Sequence, residues 1–210
     1  MTMLKLAPVI PLVQASDPAI AVRTAKALKA GGLTTLEVVL RTDAAMDCME
    51  AIIREVEGVT VGAGTVLTAD QAQAVVRRGA QFIVSPGLNE GVVNVCKSNE
   101  LAVYPGVVTP SELQLAWAMG LRIVKFFPAG LSGGVPMLKA LSSVFRGMSF
   151  MPTGGVSAAN LQDFLAVPSV IACGGSWLTP QAEIDAGNFD AITKLASEAL
   201  ALAREIKPNI

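Results

Sequence analysis

Ile123-Val124-Lys125-Phe126-Phe127-Pro128 is the stretch on which the reading of this chain turns. Branched and aromatic residues favour a buried strand, and the proline ends it. A single lysine stands in the middle of that run. Burial in general disfavours an ammonium ion, so a buried lysine gives up its proton more readily and becomes a nucleophilic amine. A neutral amine in a dry pocket is what imine chemistry on a ketone requires. The same lysine could instead lay its stem on apolar surface and keep its charge in water. The run alone leaves both readings open.

Outward from it, similar short apolar runs recur at Val9–Val13, 35–40, 59–61, 81–84, 102–104, 149–151 and 170–173. Amphipathic helical patterns lie between them, as at Pro18–Ala30, 44–57, 69–78 and 157–166. Ser16-Asp17-Pro18 and Thr109-Pro110-Ser111-Glu112 place a helix cap beside an early proline. Gly31-Gly32, Gly79 and Gly120 are placed to close helices. Eight strand-helix units of roughly 23 residues each predict a parallel sheet closed into a compact α/β barrel, the (β/α)8 TIM barrel. An open doubly wound sheet is the second choice. No linker or composition break appears, so residues 1–210 are expected to form one barrel domain. The tail from 180 to 210 is expected to add extra C-terminal helices outside the barrel, the longest at 188–204.

Composition narrows the function classes. Of 210 residues, 52% are hydrophobic and only 16% charged, which fits a core-rich globular protein. The formal net charge of −1 and the scattered Lys and Arg give no reason to expect a nucleic-acid surface. Residues 1–6 lack the apolar core of a signal peptide, and no uncharged apolar run reaches membrane-spanning length. Three cysteines, Cys48, Cys96 and Cys173, have no metal-like spacing and read as small buried hydrophobes of a reducing cytoplasm. The chain has no histidine. That removes Ser-His-Asp triads, Cys-His pairs, histidine general bases and imidazole-rich zinc sites. Acid–base work falls to Glu, Asp, Lys, Tyr, Cys or water.

Barrel enzymes keep their sites at the carboxyl ends of the strands. Those ends read Arg41-Thr42, Gly62-Ala63-Gly64-Thr65, Ser85-Pro86-Gly87, Pro105-Gly106, Lys125 to Pro128, Pro152-Thr153-Gly154-Gly155 and Gly174-Gly175-Ser176-Trp177. Alternation along a strand puts Glu37 on one face with Thr35, Val39 and Arg41. If that face points inward, Glu37 and Lys125 face each other across the lumen, in direct contact or through a water. A catalytic pair and a buried ion pair that only fixes strand packing both fit. The glycine pairs after strands seven and eight, with Ser176, suit a phosphate held by backbone amides, and each pair alone could be a turn.

These segments together resemble the class I 2-keto-3-deoxy-6-phosphogluconate (KDPG) and 4-hydroxy-2-oxoglutarate (KHG) aldolases. The resemblance rests on Glu37 to Thr42, Val61 to Val66, Ser85 to Gly87, Lys125 to Ala129, Pro152 to Gly155 and Gly174 to Trp177, in matching order over about 8–195. It implies that Lys125 is the Schiff-base lysine and Glu37 the general acid/base acting through water. Arg41 and Thr65 would hold the pyruvyl carboxylate. Thr153 and Phe127 would line the pocket, with Pro86 near it. Gly154, Gly155, Gly175 and Ser176 would bind the distal phosphate. The resemblance also implies a homotrimer needing no metal and no cofactor, acting in the cytoplasm on a small 2-keto acid sugar phosphate. The products would be pyruvate and D-glyceraldehyde 3-phosphate. One departure is Gly130, where many relatives carry glutamate after the Pro-Ala pair. Other readings are the galactonate epimer as substrate, a sugar-phosphate isomerase or epimerase, and a non-catalytic phosphate-ligand barrel.

Overall fold

Val9–Val13 forms β1, buried along its whole length, and Asp17 then caps helix α1, Pro18–Ala30, by accepting from the Ile20 N–H at 2.9 Å. In this computed structural model, which describes residues 7–208, the same strand-then-helix step repeats around the fold. Residues 1–6, with the signal-peptide reading, and 209–210 at the end of the tail lie outside the described residues. The steps are β2 (Thr35–Val39) and α2 (Ala45–Glu55), β3 (Thr60–Gly64) and α3 (Ala69–Arg77), and β4 (Phe82–Ser85) and α4 (Glu90–Ser98). They continue as β5 (Ala102–Val107) and α5 (Pro110–Ala118), β6 (Ile123–Phe126) and α6 (Gly134–Val144), and β7 (Ser149–Pro152) and α7 (Leu161–Leu165). Finally come β8 (Cys173–Gly175), α8 (Gln181–Asp185) and α9 (Phe189–Ile206).

The strands pair in parallel in the order β7-β6-β5-β4-β3-β2-β1-β8. Bridges Phe150↔Val170 and Thr153↔Gly174 join β7 to the β8 segment and close the ring. The (β/α)8 expectation therefore holds. The tail helix α9 packs against α1 and α7 and covers the outside of the barrel between them. Gly31 permits that approach, since a β-carbon there would stand 2.5 Å from Ala196 Cβ.

Strand alternation sorts the core into two layers. Leu36, Val38, Val61, Ala63, Ile83, Val124, Phe126 and Phe150 face outward and pack under the helices. Ile10, Phe82, Val84, Tyr104, Met151 and Ala172 face inward and fill the lower lumen. Burying one such side chain contributes about 2 kcal/mol, so the lower lumen is a packed floor, not a channel.

Two of the boundaries that differ from the sequence expectation lie next to the late glycines. The eighth strand starts later, at Cys173, and takes in both Gly174 and Gly175. The 157–166 helix shrinks to Leu161–Leu165, because Asn160 turns its side chain onto the preceding loop. Its Oδ1 accepts from Ser157 N at 2.8 Å, and its Nδ2 donates to Gly155 O at 2.9 Å.

Candidate functional site

Above the apolar floor the lumen turns polar. Glu37, Lys125 and Thr153 are all buried there, at 0%, 3% and 3% exposure. Glu37 enters from β2 and Lys125 from β6, each on the inward face that alternation assigns. Lys125 Nζ lies 3.6 Å from Glu37 Oε1. That is an ionic contact but longer than a hydrogen bond. Neither carboxylate oxygen of Glu37 has a hydrogen-bond partner among the described residues. A buried pair this loosely held is a poor stability device, since desolvation of two ions offsets their attraction unless hydrogen bonds fill the remaining valences. Direct contact, one of the two arrangements expected from the sequence, is therefore the geometry found.

Glycines make room for the large polar groups. Gly64 stands beside Glu37, where a β-carbon would lie 2.1 Å from Oε1. Gly174 stands beside Thr153, where a β-carbon would lie 2.3 Å from Oγ1. Gly106 pairs in register with Lys125, and the Pro86 carbonyl presses on it from the β4 end. Pro86 thus reaches the wall next to the lysine.

Phe127 links the lysine to the late loops. Lys125 Nζ lies 5.0 Å from the centre of its ring. The same ring meets Gly154, where a β-carbon would be 3.2 Å away. Gly154 and Gly155 have φ of 84° and 82°, a conformation that favours glycine. Two main-chain bonds tie this turn to the lysine loop, Ala129 N to Thr153 O and Gly130 N to Gly154 O, both 2.8 Å. A β-carbon on Gly130 would lie 3.3 Å from the Gly155 α-carbon, so the departure at Gly130 falls directly against the glycine turn. Gly175 is buried in β8 under the Trp177 ring, and Ser176 follows it, exposed.

At the rim, Arg41 Nε donates to Thr65 Oγ1 at 3.3 Å. Thr65 has φ of 59°, a left-handed conformation that costs a branched residue of order 1–3 kcal/mol. Arg41 is exposed and Thr65 half-buried, so this pair faces the open end of the lumen. No group of three or more Cys, Asp or Glu side chains suited to a metal ion occurs among the described residues. Contacts thus run from Glu37 to Lys125, from Lys125 to Phe127 and from Phe127 to Gly154, while Arg41 and Thr65 pair with each other at the rim and Gly175 meets the Trp177 ring. Sequence reasoning named Gly106 and Gly174 as strand-end glycines without their packing role, and it missed Tyr104. Register places the first beside Lys125 and the second beside Thr153, while Tyr104 sits two residues below Gly106 on β5.

The geometry has counterparts in known proteins. The sequence profile described as "Aldolase: KDPG and KHG aldolase" matches residues 1–195. The KHG/KDPG aldolase of Escherichia coli is 47% identical over 193 residues, covering 92% of this chain and 91% of that protein. Among solved structures, the KDPG aldolase of Legionella pneumophila, with pyruvate captured as a covalent carbinolamine, superposes with a TM-score of 0.91 at 40% identity. That match covers 93% of this chain and 95% of the other. The 2-keto-3-deoxy-6-phosphogluconate aldolase of Zymomonas mobilis, with 3-phosphoglycerate, superposes with a TM-score of 0.90 at 41% identity, covering 97% and 95%. A profile match over nearly the whole chain, and relatives of this identity over nine-tenths of it, make this chain a member of the KDPG and KHG aldolase family.

Proposed function

We propose that the chain is a Schiff-base aldolase that cleaves 2-keto-3-deoxy-6-phosphogluconate to pyruvate and D-glyceraldehyde 3-phosphate. 4-Hydroxy-2-oxoglutarate, which would give pyruvate and glyoxylate, is the second substrate. The observation that carries this reading is the buried Lys125–Glu37 pair at the carboxyl end of the lumen.

The amine of Lys125 attacks the C2 ketone, and loss of water gives an imine that protonates to an iminium. The iminium withdraws electrons from the C3–C4 bond. Glu37, through a water, takes the proton of the C4 hydroxyl as that bond breaks, and the aldehyde leaves. The resulting enamine takes a proton at C3, and water hydrolyses the imine to release pyruvate and free Lys125. One carboxylate serves as base and then acid because its protonation alternates through the cycle. Arg41 and Thr65 hold the carboxylate end of the substrate. Phe127, Thr153 and Pro86 wall the pocket, and Gly154, Gly155, Gly175 and Ser176 take the phosphate. Oriented amides and a hydroxyl suit a phosphate monoester there.

The same reading takes residues 1–210 as one domain acting as a homotrimer in the cytoplasm, without metal or organic cofactor. No helix among the described residues is long and apolar enough to cross a membrane. Exposed Leu115, Trp117 and Val144 offer apolar surface for contact between copies. Light scattering reads the trimer directly, and a monomeric mass overturns it.

Pyruvate release from 2-keto-3-deoxy-6-phosphogluconate, beside its galactonate epimer and 4-hydroxy-2-oxoglutarate, tests the reaction. Borohydride with pyruvate should inactivate the protein and add one pyruvate-derived group at Lys125. An enzyme that stays active and unlabelled is not an imine-forming aldolase, and an isomerase or epimerase would behave that way.

A further inference from the structure

Tyr104 is the only tyrosine of the chain. It sits on β5 two residues before Gly106, the register partner of Lys125, so alternation points both positions into the lumen. The residue is 2% exposed, and its hydroxyl has no hydrogen-bond partner among the described residues. Both carboxylate oxygens of Glu37 share that condition. Lys125 Nζ, at 3.6 Å from Oε1, leaves the carboxylate without a hydrogen bond.

Phe82 ties the phenol to the level of Glu37. Its ring centre is 6.0 Å from that of Tyr104, tilted by 54°. The edge of the same ring presses on Gly62, where a β-carbon would lie 2.3 Å away, and Gly62 is the register partner of Glu37. The Tyr104 ring therefore lies just beneath the polar layer, among the side chains of the floor. Buried polar groups in folded proteins find partners, and where no side chain serves, a water does, making about three hydrogen bonds. A water between floor and polar layer would serve two such groups, the Tyr104 hydroxyl and the Glu37 carboxylate, with the Lys125 amine beside the carboxylate.

We propose that Tyr104 is a positioning residue whose hydroxyl anchors a buried water on the floor side of the lumen, and that this water orients the Glu37 carboxylate toward Lys125. It is distinct from the water that carries the substrate proton on the open side. The inference rests on the roles of Lys125 and Glu37 proposed above.

Tyr104→Phe keeps the ring against Phe82 and removes only the hydroxyl. Loss of one orienting hydrogen bond should lower kcat about five- to tenfold and leave KM unchanged. An unchanged kcat overturns the proposal, since a phenol that merely fills space gives that result. Because Tyr104 is the sole tyrosine, biosynthetic replacement by 3-fluorotyrosine places one fluorine reporter in the full chain. Its single resonance should shift in the Glu37→Gln protein, where no turnover is needed. A resonance that stays in place there overturns the link to Glu37. Failure of pyruvate to become trapped on Lys125, read by mass, would instead sink the aldolase reading. The two failures are therefore told apart.

Discussion

Glu37 lies back against Gly64, so that a β-carbon on Gly64 would stand 2.1 Å from Oε1 and 2.6 Å from Cγ. The glycine at the end of β3 is thus the space into which the carboxylate folds. Gly64→Ala should push Glu37 off its position over Lys125 and lower kcat by at least about tenfold, with an overpacking cost of about 1–3 kcal/mol. Gly62→Ala is the contrast, because its new methyl meets the Phe82 ring on the floor. It should lose similar stability with a smaller loss of kcat. Thermal melts and steady-state kinetics on both variants check the difference, and equal kinetic losses would deny Gly64 any special relation to Glu37.

The Lys125–Glu37 pair should be worth much to turnover and little to folding. Lys125→Met alone removes the amine and leaves Glu37 buried without its cation, which should cost about 3–5 kcal/mol and abolish pyruvate release. The double variant Lys125→Met with Glu37→Leu should recover most or all of that stability while remaining inactive. Urea denaturation of the two proteins makes the comparison. A double variant no more stable than the single one would mean that the pair is a structural requirement of the barrel.

Much of the fold is legible in the sequence. Alternation grouped Glu37 with Thr35, Val39 and Arg41 on one strand face, and Asp17 and Thr109 cap α1 and α5 where the proline-flanked signals lay. The harder cases are glycines and side-chain-to-backbone bonds. The sequence reading puts Gly174 and Gly175 after the eighth strand, yet both belong to β8, where Thr153 and the Trp177 ring occupy the space that side chains would fill. That demand comes from partners distant in sequence, which no local pattern reports. Asn160 shortened α7 in the same way, by bonding the Gly155 carbonyl instead of continuing a helix. Tyr104 was passed over because an aromatic residue in an apolar run looks like core. Only the unpartnered hydroxyl marks it out.

Thr65 has a left-handed backbone, and its hydroxyl accepts a hydrogen bond from Arg41 Nε. Glycine at this position would relieve the strain but add freedom to the unfolded chain, and these two effects are of similar size. Thr65→Gly should therefore change stability by less than about 1 kcal/mol. Arg41 would lose its tether at the rim, and KM for the keto acid should rise several-fold with a smaller effect on kcat. Stability measured beside kinetics separates the two. A large stability loss with unchanged KM would place Thr65 in the scaffold alone.

Glu112 gives the fold an acid-sensitive joint away from the site. Burial pushes its carboxyl upward, but the N–H groups of Thr109 and Val108 and the Thr109 hydroxyl outweigh that and hold it below its ordinary value near 4.5. A value lowered on folding means stability that is present above the ordinary value and is lost as pH falls through the folded one. The capping box that Glu112 closes with Thr109 starts α5, which follows directly on β5 and its inward Tyr104 and Gly106. Glu112→Gln should cost about 1 kcal/mol at pH 7. The gap between the two proteins should narrow as pH drops below 4.5, because protonation then removes the charge from the native protein as well. Urea midpoints from pH 7 down to pH 3 follow that gap. A gap that stays constant over the range would show that the carboxylate's charge contributes nothing to the cap.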